Sequence, residues 1–352
     1  MQKQASLCYK KLSMSKKNSN VLVSKNFLKN KKIFNIYSIF KTNLEKNINR
    51  KSFLVAVSGG PDSLALTALS KIYKNEKKTS VYFVLVDHGI RAKSDKEAVL
   101  VKKLLKKKKI FLNIIKIKAK LKKNIQAQAR IERYKILVQF CKKKNIKYIL
   151  TGHHSDDQIE TFLIRLSRGS GVQGLSSMSE IRKIDKKISL FRPLLNFKKK
   201  DLVYIAKKNF GKIIRDPTNR DKKYLRTKIR RLKSELERSG IKHEQIIRSI
   251  NNIASTKDTL NSYLEKVKQT CVETKKKQTV INLKNLFLES DEIKLKVLGN
   301  EIKTFSKSYY PPRSKKVMNL INEIEFKKRN KFTLGGCLLK KAGNFLIITK
   351  EA

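Results

Sequence analysis

The spacing of apolar positions changes character along the chain. Phe53-Leu54-Val55-Ala56-Val57 is a short unbroken apolar run that ends in turn residues, the pattern of a strand buried on both faces. Further strands are predicted at Val81–Val86, Ile110–Ile117 and Tyr148–Leu150. Between them the period lengthens to that of helices. Leu66, Leu69 and Ile72 mark one helix from Asp62 to about Tyr73, and a second spans Ser94 to about Lys107. A third spans Asn124–Lys143, with Ala127, Ile131, Tyr134, Val138 and Cys141 predicted on its buried stripe. Strands alternating with helices predict an α/β fold with a doubly wound parallel sheet.

The regularity weakens after Asn219. Lys223 to about Glu265 reads as charged helices, Lys275–Gln278 as a polar linker, and Val280–Ala352 as a small α+β unit ending in two strands around Gly343-Asn344. The domain expectation is a basic N-terminal extension (1–50), an α/β domain (51–219), a helical segment (220–274) and a small C-terminal domain (280–352).

The first strand runs into Ser58-Gly59-Gly60-Pro61-Asp62-Ser63 at the start of the first helix. Backbone N–H groups and a helix N-terminus there favour an anion, and the glycines let phosphate approach the backbone. Asp62 would repel a bare phosphate, but a magnesium ion bridging it to a polyphosphate removes the conflict. An ordinary capped strand–helix turn is the plainer alternative. The segment is not a Walker A loop, since no Gly-Lys-Ser/Thr follows.

A second cluster lies after the fourth strand. Ser155 followed by Gln158 is a capping-box pattern, and Ile159, Phe162, Leu163 and Leu166 form a predicted buried stripe. Asp156, Asp157 and Glu160 then fall within roughly 100 degrees of one another on the helical wheel. Three carboxylates so close call for a cation, whether a lysine ammonium or magnesium. The alternative is a solvated acidic helix start favoured by the dipole. Gly169-Ser170-Gly171 ends the helix.

Charge and composition then narrow the partners. The formal net charge of +56 points to a polyanion, although the excess of Lys over Arg and the abundance of Ile and Asn also fit an AT-rich genome. The four cysteines Cys8, Cys141, Cys271 and Cys337 form no CxxC pair, so a reducing cytosol and no structural metal are expected. No apolar run approaches the roughly 20 residues of a membrane span. The N-terminus shows neither a secretory h-region nor the arginine content of a transit peptide, and Met14 is an alternative start to Met1.

Taken together these segments resemble a known family. SGGPDS after VAV is similar to the PP-loop of ATP-pyrophosphatases. Val86-Asp87-His88-Gly89-Ile90-Arg91, Ala129-Arg130-Ile131-Glu132-Arg133-Tyr134, the stretch from Gly152 through Met178, and Phe191-Arg192-Pro193-Leu194-Leu195 resemble tRNA(Ile)-lysidine synthetases. Asp216-Pro217-Thr218-Asn219 is also similar. The strong resemblance spans about Phe53 to Arg231, with a looser one from Phe332 to Glu351. It implies a cytoplasmic carbon–nitrogen ligase. That enzyme would use ATP and magnesium to adenylate the wobble cytidine of a tRNA(Ile) with a CAU anticodon, and free L-lysine would then displace AMP.

On the matching positions, the resemblance gives ATP to Ser58, Gly59, Gly60, Pro61, Asp62 and Ser63, with magnesium on Asp62. It gives the α-phosphate to Arg130, Arg133 and Arg192, and substrate contacts to His153 and Asp156. The lysine amine goes to Asp157 and Glu160, and tRNA phosphate to Lys228, Arg230 and Arg231. His88 reads either as a ligand contact or as a structural hydrogen-bonding residue. A tRNA thiolase of the same superfamily is the competing enzyme, which four isolated cysteines disfavour. A small-molecule amidotransferase relative lacks an N-terminal Cys nucleophile here. A non-catalytic RNA-binding protein explains the charge but not the loop and the carboxylates.

Overall fold

A computed structural model of the chain describes residues 27–87, 89, 94–117, 125–211, 225–275, 277–308, 311–326 and 329–351. Cys8, His88, Arg91 and the Asp216–Asn219 segment lie outside them. The chain forms two compact units, 1–251 and 252–352.

The first unit is built on a six-stranded sheet of order β3-β2-β1-β4-β6-β5. Its strands are β1 Phe53–Val57, β2 Val81–Asp87, β3 Leu112–Lys116, β4 Tyr148–Leu150, β5 Ile181–Lys183 and β6 Ser189–Phe191. All pairings are parallel except β5 with β6. The unbroken apolar runs are explained by helices on both faces. Phe53, Val55 and Val57 pack into one core and Leu54 into another, as a two-residue period requires. The first core takes side chains from helices α1 Lys31–Ile48, α2 Pro61–Lys77 and α3 Ser94–Lys106; the second takes them from α4 Ile125–Lys143.

Three sequence expectations shift here. Helix α1 falls inside the span read as an extension, yet Ile33, Ile36, Tyr37, Phe40, Leu44 and Ile48 are buried. Each such side chain contributes about 1.5–3 kcal/mol, so this helix belongs to the core. On α4 the buried side chains are Ala129, Leu137 and Cys141, while Ile131 is exposed. Apolar residues lie on both sides of this helix, so its wheel alone does not select the packed face. Lys275 and Gln278, read as the ends of a linker, instead pair at the end of a hairpin between β7 Val272–Thr274 and β8 Thr279–Asn282, where the Lys275 N–H donates to the Gln278 carbonyl at 2.8 Å.

The first unit continues through α5 Ser155–Leu166, α6 Val172–Leu175, α7 Lys199–Phe210 and α8 Leu225–Arg238. Ile229 of α8 packs with Ile159 and Leu163 of α5, together with Ile246 and Ile250; Leu166, expected in that stripe, is exposed. The second unit adds β9 Lys331–Leu334, β10 Cys337–Ala342 and β11 Phe345–Lys350 to β7 and β8 in an antiparallel five-stranded sheet of order β7-β8-β11-β10-β9. It closes on the expected hairpin of β10 and β11. The helix His243–Cys271 contributes Leu264, Val267 and Cys271 to the core of that unit. Among the described residues no helix is long and apolar enough to cross a membrane.

Candidate active site

The chain leaves β1 toward β2 on one side and later returns to β4 on the other, so the topological switch point lies between β1 and β4. Open α/β sheets bind ligands outside the strand carboxyl ends at that point. Ser58–Ser63 follows β1 there. Gly59 has φ +83°, a left-handed conformation that favours glycine. Gly60 is the N-cap of α2 and Pro61 opens the helix. The hydroxyl of Ser63 ties the loop together. It accepts from the Ser58 backbone N–H at 3.2 Å, lies 3.1 Å from the Ser58 hydroxyl, and donates to the Gly60 carbonyl at 3.0 Å.

The segment after β4 lies directly on this loop. A Cβ on Gly152 would sit 2.9 Å from the carbonyl carbon and oxygen of Asp62, so only glycine permits the approach. His154 follows, 2% exposed. Its Nε2 is 3.5 Å from Asp62 Oδ2 and 3.6 Å from Asp157 Oδ2, and its Nδ1 is 3.8 Å from Asp156 Oδ2. Burial opposes the imidazolium, but the contact with Asp62 and the charges of Asp157 and Asp156 outweigh it and raise the pKa. His154, not Ser155, is the N-cap of α5, and Asp157 accepts from its backbone N–H at 3.1 Å. Gln158 instead clamps Met178, donating to its carbonyl at 2.9 Å and accepting from its N–H at 2.8 Å. The Ser155 hydroxyl donates to the Phe197 carbonyl.

Asp156, Asp157 and Glu160 are brought together as expected, and helix α8 supplies cations to two of them. Asp156 is ion-paired with Lys233 and accepts from the Lys199 backbone N–H at 3.0 Å. Burial works to raise its pKa, but these two donors and the Lys233 charge hold it at about 2. Glu160, 3% exposed, takes Arg230 Nε at 2.6 Å and Nη2 at 3.4 Å. Arg230 therefore faces the carboxylates, while Lys228 and Arg231 are exposed. His153 Nδ1 is 2.8 Å from the Thr151 hydroxyl.

The remaining arginines gather around Tyr134. Arg130 and Arg133 lie over its ring at 5.3 and 5.5 Å. Arg192 is 4% exposed and its Nη1 donates to the Ser179 carbonyl at 2.6 Å. Burial lowers the pKa of Arg133 and Arg192, and the like charge of Arg130 adds to it. Such a cluster favours an anion. Residues that sequence reasoning passed over are His154, whose only signal was the His153-His154 doublet, and Lys233, which had none.

Asp62 Oδ1 is buried and has no hydrogen-bond partner among the described residues. A single carboxylate oxygen of this kind fits magnesium, which in nucleotide sites takes one or two carboxylates and completes its shell with phosphate and water. Cys141 is buried and its thiol is pushed up to about 12 by burial, the opposite of a reactive thiolate.

Comparison with known proteins identifies the family. The PP-loop domain family model matches residues 35–236. The tRNA(Ile)-lysidine synthase of Wolbachia pipientis wMel is 38% identical over 305 residues, covering 85% of this chain and 70% of the relative. That of Orientia tsutsugamushi is 31% identical over 308 residues, covering 84% and 69%. Among solved structures, a U34-tRNA thiolase from Methanococcus maripaludis superposes with a TM-score of 0.51 at 20% identity, covering 61% of this chain and 78% of the thiolase. That likeness concerns the fold alone. On the sequence matches, the chain belongs to the tRNA(Ile)-lysidine synthase family of PP-loop proteins.

Proposed function

We infer that the protein is a carbon–nitrogen ligase that converts the wobble cytidine of a CAU-anticodon tRNA(Ile) to lysidine, using ATP and free L-lysine in the cytoplasm. The observation that carries this is the approach of the phosphate loop to the acidic helix start, joined through Gly152 and His154. Groups suited to a polyphosphate and groups suited to an ammonium are then neighbours.

The first step is attack of cytidine O2 on the α-phosphorus of ATP, which breaks the α–β phosphoanhydride, releases pyrophosphate and leaves the base adenylated. Ser58–Ser63 and the α2 N-terminus hold the pyrophosphate portion. Magnesium, when bound at Asp62, neutralises phosphate charge. Arg130, Arg133 and Arg192 stabilise charge at the α-phosphate, and burial of Arg133 and Arg192 strengthens their part of the interaction. In the second step the lysine ε-amine attacks C2 and AMP leaves. Asp157 and Glu160 receive the ammonium, and one of them accepts its proton. Arg230 shares Glu160 with that ammonium, and Asp156, committed to Lys233 and Lys199, anchors α8. His153 and Asp156 border the substrate. Lys228 and Arg231 meet tRNA phosphate, and so does the second unit, whose groove of about 890 Å³ is lined by Lys316, Arg329 and Lys331. A thiolase reading is disfavoured by the inert Cys141.

The test is nucleoside analysis of a CAU-anticodon tRNA(Ile) after incubation with ATP and lysine. Lysidine at the wobble position is expected; an unmodified cytidine, or a sulfur-containing product with a sulfur donor, would reject the assignment.

A further inference from the structure

We propose that Asp87 accepts a hydrogen bond from a ribose hydroxyl of the bound nucleotide and makes the enzyme selective for a ribonucleoside triphosphate. This rests on the reading that ATP lies on the Ser58–Ser63 loop.

Asp87 is the last residue of β2, the strand beside β1. The pair Val57–Leu85 places Asp87 two residues beyond the last strand pairing, at the level where β1 has become the phosphate loop. Its side chain is 5% exposed. One oxygen, Oδ1, accepts from the Gly89 backbone N–H at 3.1 Å and fixes the turn. The other, Oδ2, is buried and meets no hydrogen-bond donor among the described residues; the neighbouring carboxyl of Asp95 is itself an acceptor. A desolvated carboxylate oxygen calls for a donor. Lys116, its register partner in β3, gives its ammonium to Asp95 at 3.0 Å.

The donor is set by place and charge. A phosphate oxygen is excluded, since it is an acceptor and an anion. Neighbouring strands are about 4.8 Å apart, so a group over the end of β2 lies one strand from phosphates held over β1. On a nucleoside triphosphate the group at that remove carrying neutral donors is the ribose. In doubly wound sheets with strands in the order 3-2-1-4, an acidic residue beyond the phosphate loop takes this role for the ribose of a dinucleotide. Here the unpartnered Oδ2 supplies the physical requirement for it. The acceptor is specific because a deoxy sugar leaves a buried carboxylate oxygen unpaired, and sites built that way discriminate strongly.

The test compares pyrophosphate release from ATP, 2′-deoxyATP and 3′-deoxyATP in the presence of the tRNA. Wild type should prefer ATP over at least one deoxy analogue by about tenfold or more in kcat/KM. Asp87→Ala should bring that ratio to within about twofold, by losing activity with ATP and not by gaining it with the analogue. Asp87→Asn preserves shape and the Gly89 contact; it should fold normally and also shrink the ratio, and it carries the test if the alanine variant does not fold. A ratio unchanged in the folded variants, as expected if Asp87 serves only the turn at Gly89 and its contact with Asp95, would overturn the proposal. So would a wild type indifferent to both analogues. Failure of wild type to release pyrophosphate from ATP at all would instead strike the proposed function itself, and this assignment with it.

Discussion

The phosphate loop and the acidic helix start follow adjacent strands, yet their polar groups are satisfied differently. In the loop, Ser58, Gly60 and Ser63 close on one another, and Asp62 keeps a buried oxygen without a donor. At the helix start, Asp156 and Glu160 already hold Lys233 and Arg230 from α8. The loop is therefore suited to gain positive charge along with its phosphates. The helix start is partly neutralised by the chain itself, so an incoming ammonium shares carboxylates that already hold a cation. Two half-reactions with separate electrostatic needs follow from that difference.

The largest expected effect breaks the loop side. Asp62→Ala should slow pyrophosphate release by about 10²-fold or more while tRNA affinity, measured by filter binding, stays near wild type. Near-normal pyrophosphate release would remove the magnesium role. Next, Glu160→Gln and Asp157→Asn each delete one charge and keep shape. At least one should lower kcat/KM for lysine by about 10- to 100-fold, with ATP affinity little changed and adenylated tRNA accumulating. If lysine incorporation is normal in both, the carboxylates are only a capped helix start.

The anchoring pair predicts a stability effect. The Asp156 carboxyl titrates near 2 in the folded chain and near 3.9 when unfolded. A depressed carboxylate pKa stabilises above the unfolded value, and that contribution is lost as pH falls toward the folded one. It amounts to about 2 kcal/mol at neutral pH. Asp156→Asn should lower neutral-pH stability by about that much and flatten the loss between about pH 5 and pH 2; parallel acid titrations of wild type and variant would refute the pair's contribution. The smallest effect concerns the second unit. Deleting residues 252–352 should raise the tRNA constant about tenfold and the ATP constant less; equal tRNA affinity at one salt concentration would remove that unit from RNA binding. The cut belongs at 251, because Leu264, Val267 and Cys271 are part of the second core.

Much of the sheet and both halves of the site were legible because they are local. Unbroken apolar runs gave β1, β2 and β4, and Ser58–Ser63 and Asp156–Glu160 are contiguous. What was missed depends on distance or ambiguity. The Arg230–Glu160 and Lys233–Asp156 pairs join positions about seventy residues apart, which no spacing rule reports. Helix α1 was obscured by the Lys- and Asn-rich composition around it, although Phe40, Leu44 and Ile48 hold a helical period. His154 took the capping role expected of Ser155 because the strand approaches the loop through Gly152, a tertiary contact.

The most direct test of the two-step account follows pyrophosphate and AMP separately, with a CAU-anticodon tRNA(Ile) and with or without free lysine. The account predicts pyrophosphate release without lysine, up to the amount of tRNA present, while AMP stays on the RNA and is freed only when lysine is added. Equal AMP release with lysine omitted, or no pyrophosphate until lysine is supplied, would contradict it.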